Sequence, residues 1–144
     1  MDALVANDTL SACVIAWAVA QFSKPLIYFV QTRRVNLRYF FTAGGMPSSH
    51  SAVVVALATR VGMDTGLSSV PFALATVFAA VVMYDAAGVR RAVSVQARIL
   101  NRMLTEMLEA QHFNEKRLRE LIGHTPFEVF VGALLGALAA ISLG

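Results

Sequence analysis

Charge is what this chain has least of. Only 15% of its 144 residues are Asp, Glu, Lys or Arg, where a soluble domain carries about 25%. Cysteine is scarcer still. Cys13 stands alone in an apolar run, which excludes a disulfide framework and a thiolate metal site. No cluster of Asp and Glu demands a magnesium ion, and no Walker-type glycine loop is present. Internal repeats, low-complexity stretches and a soluble second domain are missing, so residues 1–144 read as a single domain. Met1-Asp2-Ala3-Leu4 lacks the basic region that opens a signal peptide, so the first apolar run is expected to stay in the protein. No metal, cofactor or nucleic-acid partner is expected.

Apolar sequence fills the space that charge leaves. Hydrophobic residues make up 57%, with a mean hydropathy of +0.62. A bilayer core takes about 20 residues of helix, and four segments approach that length: Leu10 to Val30, Ser48 to Gly66, Leu67 to Tyr84 and Phe127 to Leu143. The expected fold is all-α, an integral membrane helical bundle of about four transmembrane helices. The second segment is the weakest because Arg60 interrupts it, and that arginine must snorkel or find a partner inside the bundle. Ala12, Ala16 and Ala20, and Gly132-x-x-x-Gly136, are small residues at the spacing of close helix packing.

Before the last span comes sequence of another kind, Arg90 to Gly123. Ile99, Leu100, Met103, Leu104, Met107 and Leu108 recur at helical spacing, with Arg98, Arg102, Glu106 and Glu109 at the other positions. This predicts an amphipathic helical insertion outside the membrane core, followed by a short helix from Glu115 to Ile122 with Asn114 as its cap and Gly123 as its end. Packing on the bilayer or the bundle is the plainer role for the apolar stripe; self-association is the sharper one. Threading the four spans puts eleven of the twelve Lys and Arg residues on one side, Arg60 excepted. The positive-inside rule makes that side cytoplasmic, with both termini opposite.

Four polar clusters converge on that side: Lys24 with Arg33 and Arg34, Ser48-Ser49-His50, Asp85 with Arg90 and Arg91, and His124-Thr125-Pro126-Phe127-Glu128. Pro47 and the serines suit a helix N-terminus, whose N–H groups and dipole attract an anion. An ordinary cap with a surface histidine satisfies that stretch equally well. Thr125, Pro126 and Glu128 fit a capping box that places Glu128 near enough to orient His124. A phosphate ester needs cations and helix N-termini for its oxygens. It also needs a nucleophile, which an oriented neutral imidazole provides, and a proton donor for the leaving oxygen, which a second histidine provides. Metal-independent phosphoryl transfer uses all these parts. Asp85 has no assigned role beyond pairing with an arginine.

Pro47-Ser48-Ser49-His50 resembles the P-S-G-H motif of the type 2 phosphatidic acid phosphatases, which share their core with vanadium-dependent haloperoxidases. His124-Thr125-Pro126-Phe127-Glu128 resembles the H-x-P-x-D motif with Glu for Asp. Together with Gly45-Met46 and Tyr84-Asp85-Ala86-Ala87-Gly88-Val89-Arg90-Arg91, these blocks are similar to the divergent branch of that superfamily, small bacterial and plastid membrane proteins, over nearly the whole chain. The resemblance implies His124 as the nucleophile forming a phosphohistidine, Glu128 as its orienting carboxylate and His50 as proton donor. Ser48, Ser49, Lys24, Arg33 and Arg34 would bind the phosphate. Gln31 stands where the family's first motif has arginine, and Leu118 falls where the third has Ser-Arg; Arg90 or Arg91 is expected in the latter role, with Arg117 and Arg119 behind them.

The reading is a membrane phosphatase acting on a lipid phosphate or diphosphate such as phosphatidic acid, phosphatidylglycerol phosphate or a polyprenyl diphosphate. It is placed in a bacterial inner membrane or a plastid membrane, with the active-site face cytoplasmic. The alternatives are a non-catalytic lipid-phosphate binder or transporter, and a structural protein that self-associates through the Met/Leu helix. Four spans are few for enclosing a lipid, which points to a homodimer on size alone.

Overall fold

The computed structural model describes residues 7–36, 40, 45–108 and 124–143. Every regular element among the described residues is a helix: α1 (Asp8–Thr32), α2 (Ser49–Thr65), α3 (Val70–Ala87), α4 (Val89–Leu108) and α5 (Pro126–Ser142). Four of them start where a side chain can take up an orphan N–H group. Asn7 accepts from Leu10 at 2.9 Å, Ser48 from Ser51 at 3.3 Å and Ser69 from Phe72 at 3.2 Å. Thr125 and Glu128 complete a reciprocal capping box at the head of α5.

The third helix begins three residues later than hydropathy predicts, at Val70 rather than Leu67, and runs on to Ala87. Leu67 is apolar, but it sits in the turn that Ser69 closes by donating its N–H to the Gly66 carbonyl at 3.2 Å. Gly66 enters that turn at φ +84°, a conformation that a β-carbon opposes. Capping chemistry, not apolarity, sets the boundary.

The central helix is α2, which packs on α1, α3 and α5. Its seams are made of very small residues. Ala12, Ala16 and Ala20 of α1, Ala52 and Ala56 of α2 and Ala140 of α5 form one fully buried cluster. A β-carbon on Gly132 would collide with the Ser48 carbonyl, and one on Gly136 with that of Ala52, so both glycines let α5 lie directly against the α2 backbone. The large apolar residues point outward instead. Trp17, Phe22, Leu26, Leu74, Phe78, Phe130 and Leu134 are each at least half exposed. A bundle with alanine inside and aromatic and aliphatic bulk outside is the inverse of a water-soluble core.

Among the described residues two helices, α1 and α3, are long and apolar enough to cross a membrane; α5 is apolar but has 17 residues. At about 1.5 Å per residue, such a helix reaches about 25 Å, against about 30 Å of hydrocarbon. The amphipathic segment takes the form of α4, which starts directly after Gly88 and, among the described residues, packs on α3. The short helix expected between Asn114 and Gly123 lies outside the described residues. Arg60 does find partners: it is 7% exposed and lies 3.2 Å from Asp64 and 3.8 Å from Asp8. Thr9 donates to the same Asp64 carboxylate at 3.0 Å. This cluster joins the start of α1 to the end of α2. The opposite pole, where α1 and α3 finish and α2 and α5 begin, carries His50 and His124.

Candidate functional site

His124 is the residue before the Thr125 cap, and it is 1% exposed. Its backbone N–H donates to the Ala86 carbonyl at 3.2 Å, which fastens it to the last turn of α3. Glu128 reaches back with one carboxylate oxygen, Oε2, to two groups. It accepts the Thr125 N–H at 3.0 Å and faces His124 Nδ1 at 3.1 Å. A proton on Nδ1 shared with that carboxylate puts the imidazole lone pair on Nε2, the nitrogen turned away from Glu128. The sequence pattern of a capping box thus does two things here. It starts α5 and it selects a tautomer.

His50 lies in the first turn of α2, with its ring centroid 6.0 Å from that of His124 and the ring planes at 64°. Ser48, fully buried, is spent on structure: its hydroxyl accepts from the Ser51 N–H at 3.3 Å and from the Ser51 hydroxyl at 3.0 Å. Ser49 faces the other way, where its hydroxyl accepts from Lys24 Nζ at 3.4 Å. Lys24 is 2% exposed and also donates to Gln21 Oε1 at 2.9 Å, one turn earlier on α1. A buried ammonium therefore stands beside the N-terminus of α2, and two helix N-termini meet at one pole.

Two cavities flank this set. One of about 280 Å³ is lined by Lys24, Ile27, Tyr28, Gln31, Gly45, Met46 and Glu128. The other, about 460 Å³, is lined by His50, Val81, Val82, Asp85 and Ala86. The first offers a cation beside the carboxylate that holds His124. The second offers the other imidazole, a carboxylate and apolar valine walls. An anion on the first side meets the Lys24 ammonium with the Glu128 carboxylate close by, and apolar substituents suit the valine side.

The structure thus gathers His124, Glu128, His50, Ser48, Ser49 and Lys24 at one pole and brings Asp85 in beside His50. Arg33 and Arg34 are exposed past the end of α1, Arg33 serving as its left-handed C-cap. They lie nine and ten residues beyond Lys24, about 14 Å along the axis. Arg90 and Arg91 fall in the first turn of α4, and their side chains lie outside the described residues, as do Arg117 and Arg119. Sequence reasoning missed Gln21 and Ser51. Both stand three residues from a recognised site residue on the same helix, so helical spacing was the available signal.

A family model described as the divergent PAP2 family matches residues 5–139. The chain is also 39% identical over 151 aligned positions to YuiD, an uncharacterized membrane protein of Bacillus subtilis (strain 168), covering 97% of this chain and 96% of that protein. No solved structure gives a significant match.

Proposed function

This chain belongs to the divergent PAP2 family, and on that footing we propose that it is a membrane phosphatase that hydrolyses a lipid phosphate or diphosphate without a metal, through a phosphohistidine. The observation that carries the proposal is the Glu128–His124 contact at 3.1 Å with His50 at a 6.0 Å centroid distance and buried Lys24 at the same pole.

In the proposed reaction His124 Nε2 attacks phosphorus while the bond from phosphorus to the leaving oxygen breaks. Glu128 steadies the imidazole as it becomes positively charged. His50 gives its proton to the departing oxygen. A water molecule then attacks the phosphohistidine, His50 takes the water proton, and inorganic phosphate leaves with His124 restored. Lys24, Ser49 and the head of α2 neutralise the phosphoryl oxygens. The arginines at 33, 34, 90 and 91 are proposed as further phosphate contacts that the substrate recruits.

In the membrane α1, α2, α3 and α5 would act as four spans, with α2 shielded by the other three. The charge distribution supports a cytoplasmic site pole. Phosphate release by detergent-purified protein, measured in EDTA against a panel of lipid phosphates and diphosphates, tests the proposal. Activity should survive EDTA, fall with vanadate and vanish in His124→Ala and His50→Ala. Tight lipid-phosphate binding with no release from any substrate would point to a binder or transporter instead.

A further inference from the structure

Beyond Arg90 and Arg91 in its first turn, helix α4 takes no part in the site described above, yet it is the most strongly two-faced of the described helices. Val93, Val95, Ile99, Leu100 and Met103 are all exposed, Met103 at 54%. Four arginines stand against one glutamate in its 20 residues, so α4 cannot itself span a bilayer. At 100° per residue, Leu100 and Met103 fall on one side of the helix, while Arg98 and Arg102 fall together on the other. Both arginines are exposed.

We propose that α4 is an interfacial helix that seats its apolar face in an anionic phospholipid surface at the site pole, with its arginines at the level of the lipid phosphates. Position supports this. Gly88 ends α3 by donating its N–H to the Tyr84 carbonyl at 2.8 Å, and α4 starts at the next residue. No spacer separates the outward apolar wall of α3, with Val77, Phe78 and Val81 exposed, from the apolar face of α4. Charge selects the occupant. A second copy of α4 would bring two strongly cationic helices together, whereas anionic headgroups neutralise them and attract each basic residue near the surface. Such a helix also raises the concentration of anionic headgroups beside the cavity of His50 and Asp85. The inference does not depend on turnover at His124.

The test uses the full chain reconstituted in nanodiscs, with Cys13→Ala as background and single spin labels at Leu100→Cys and Met103→Cys. In discs containing phosphatidylglycerol both labels should relax with oxygen and be protected from a water-soluble nickel chelate. In phosphatidylcholine discs the ratio of the two accessibilities should fall several-fold. Adding Arg98→Glu and Arg102→Glu to the labelled protein should bring the phosphatidylglycerol ratio down to the phosphatidylcholine value. Protection from both reagents would mean that protein covers the face, a second copy included, and would overturn the proposal. So would free access of the nickel chelate in phosphatidylglycerol, or a ratio indifferent to lipid charge.

Discussion

The backbone N–H of Ser48 donates to the carbonyl of Glu128 at 3.1 Å, so the residue that caps α2 is bonded to the residue that orients His124. The same Ser48 presents its own carbonyl to the bare Cα of Gly132. The two helix heads that carry His50 and His124 are thus registered by main-chain contacts.

Gly132→Ala should therefore damage both fold and site. Its new methyl would meet the Ser48 backbone, which cannot rotate aside, and overpacking of this kind costs about 1–3 kcal/mol. Gly136→Ala meets Ala52 instead, one turn farther from the histidines. It should lower the midpoint of thermal unfolding in detergent by a similar amount, while leaving more phosphate release per folded molecule than Gly132→Ala does.

Glu128 and Thr125 separate capping from catalysis. Thr125→Ala removes the cap hydroxyl, which costs about 1 kcal/mol of stability, but leaves the carboxylate facing Nδ1. Glu128→Gln keeps the shape and loses the charge that would steady the imidazolium in the proposed reaction. Its phosphate release should fall by roughly 10²–10⁴-fold with little change in unfolding, and the two variants compared in one assay would show opposite patterns.

Lys24→Met isolates the buried ammonium. Lys24 is 2% exposed, so the variant is freed of a buried charge but leaves Gln21 Oε1 and Ser49 Oγ without their donor. The two effects oppose each other, and the unfolding temperature should stay close to that of the wild type. Vanadate inhibition should weaken by at least about tenfold, the loss expected for one charge-assisted hydrogen bond. A wild-type inhibition curve would mean that Lys24 is structural.

The cluster at the far pole supplies a control. Asp64 holds Arg60 at 3.2 Å and takes the Thr9 hydroxyl, so Asp64→Asn should cost about 1 kcal/mol of stability. Asp8 is mostly solvated and 3.8 Å from Arg60, and Asp8→Asn should stay within about 0.5 kcal/mol. Neither should change phosphate release, because Arg60 lies ten residues from His50, about 15 Å along α2.

Local chemistry was readable in the sequence, and long-range placement was not. The cap at Ser48, the capping box from Thr125 to Glu128 and the small-residue seams are short-range patterns, and each appears where its spacing puts it. Leu67 misled because hydropathy counts side chains and ignores the Ser69 cap with Pro71 in the first turn. Asp85 stood near arginines in the sequence, and its further placement in the cavity of His50, from a different helix, is set by the fold. Arg60 could be matched to Asp64 by i,i+4 spacing, whereas Asp8 and Thr9 come from another helix.

An interior of alanine has no rotamers to exchange. A protein with leucine or methionine inside can answer a ligand by flipping side chains, one residue at a time. Along these alanine seams any accommodation must come from whole helices sliding or tilting, and α2 and α5 are interlocked through Gly132 and Gly136. If the proposed lipid phosphates are its substrates, adaptation to a different one falls to the surfaces that flank the frame. The frame itself has little room to mutate, since each added methyl group would push two backbones apart.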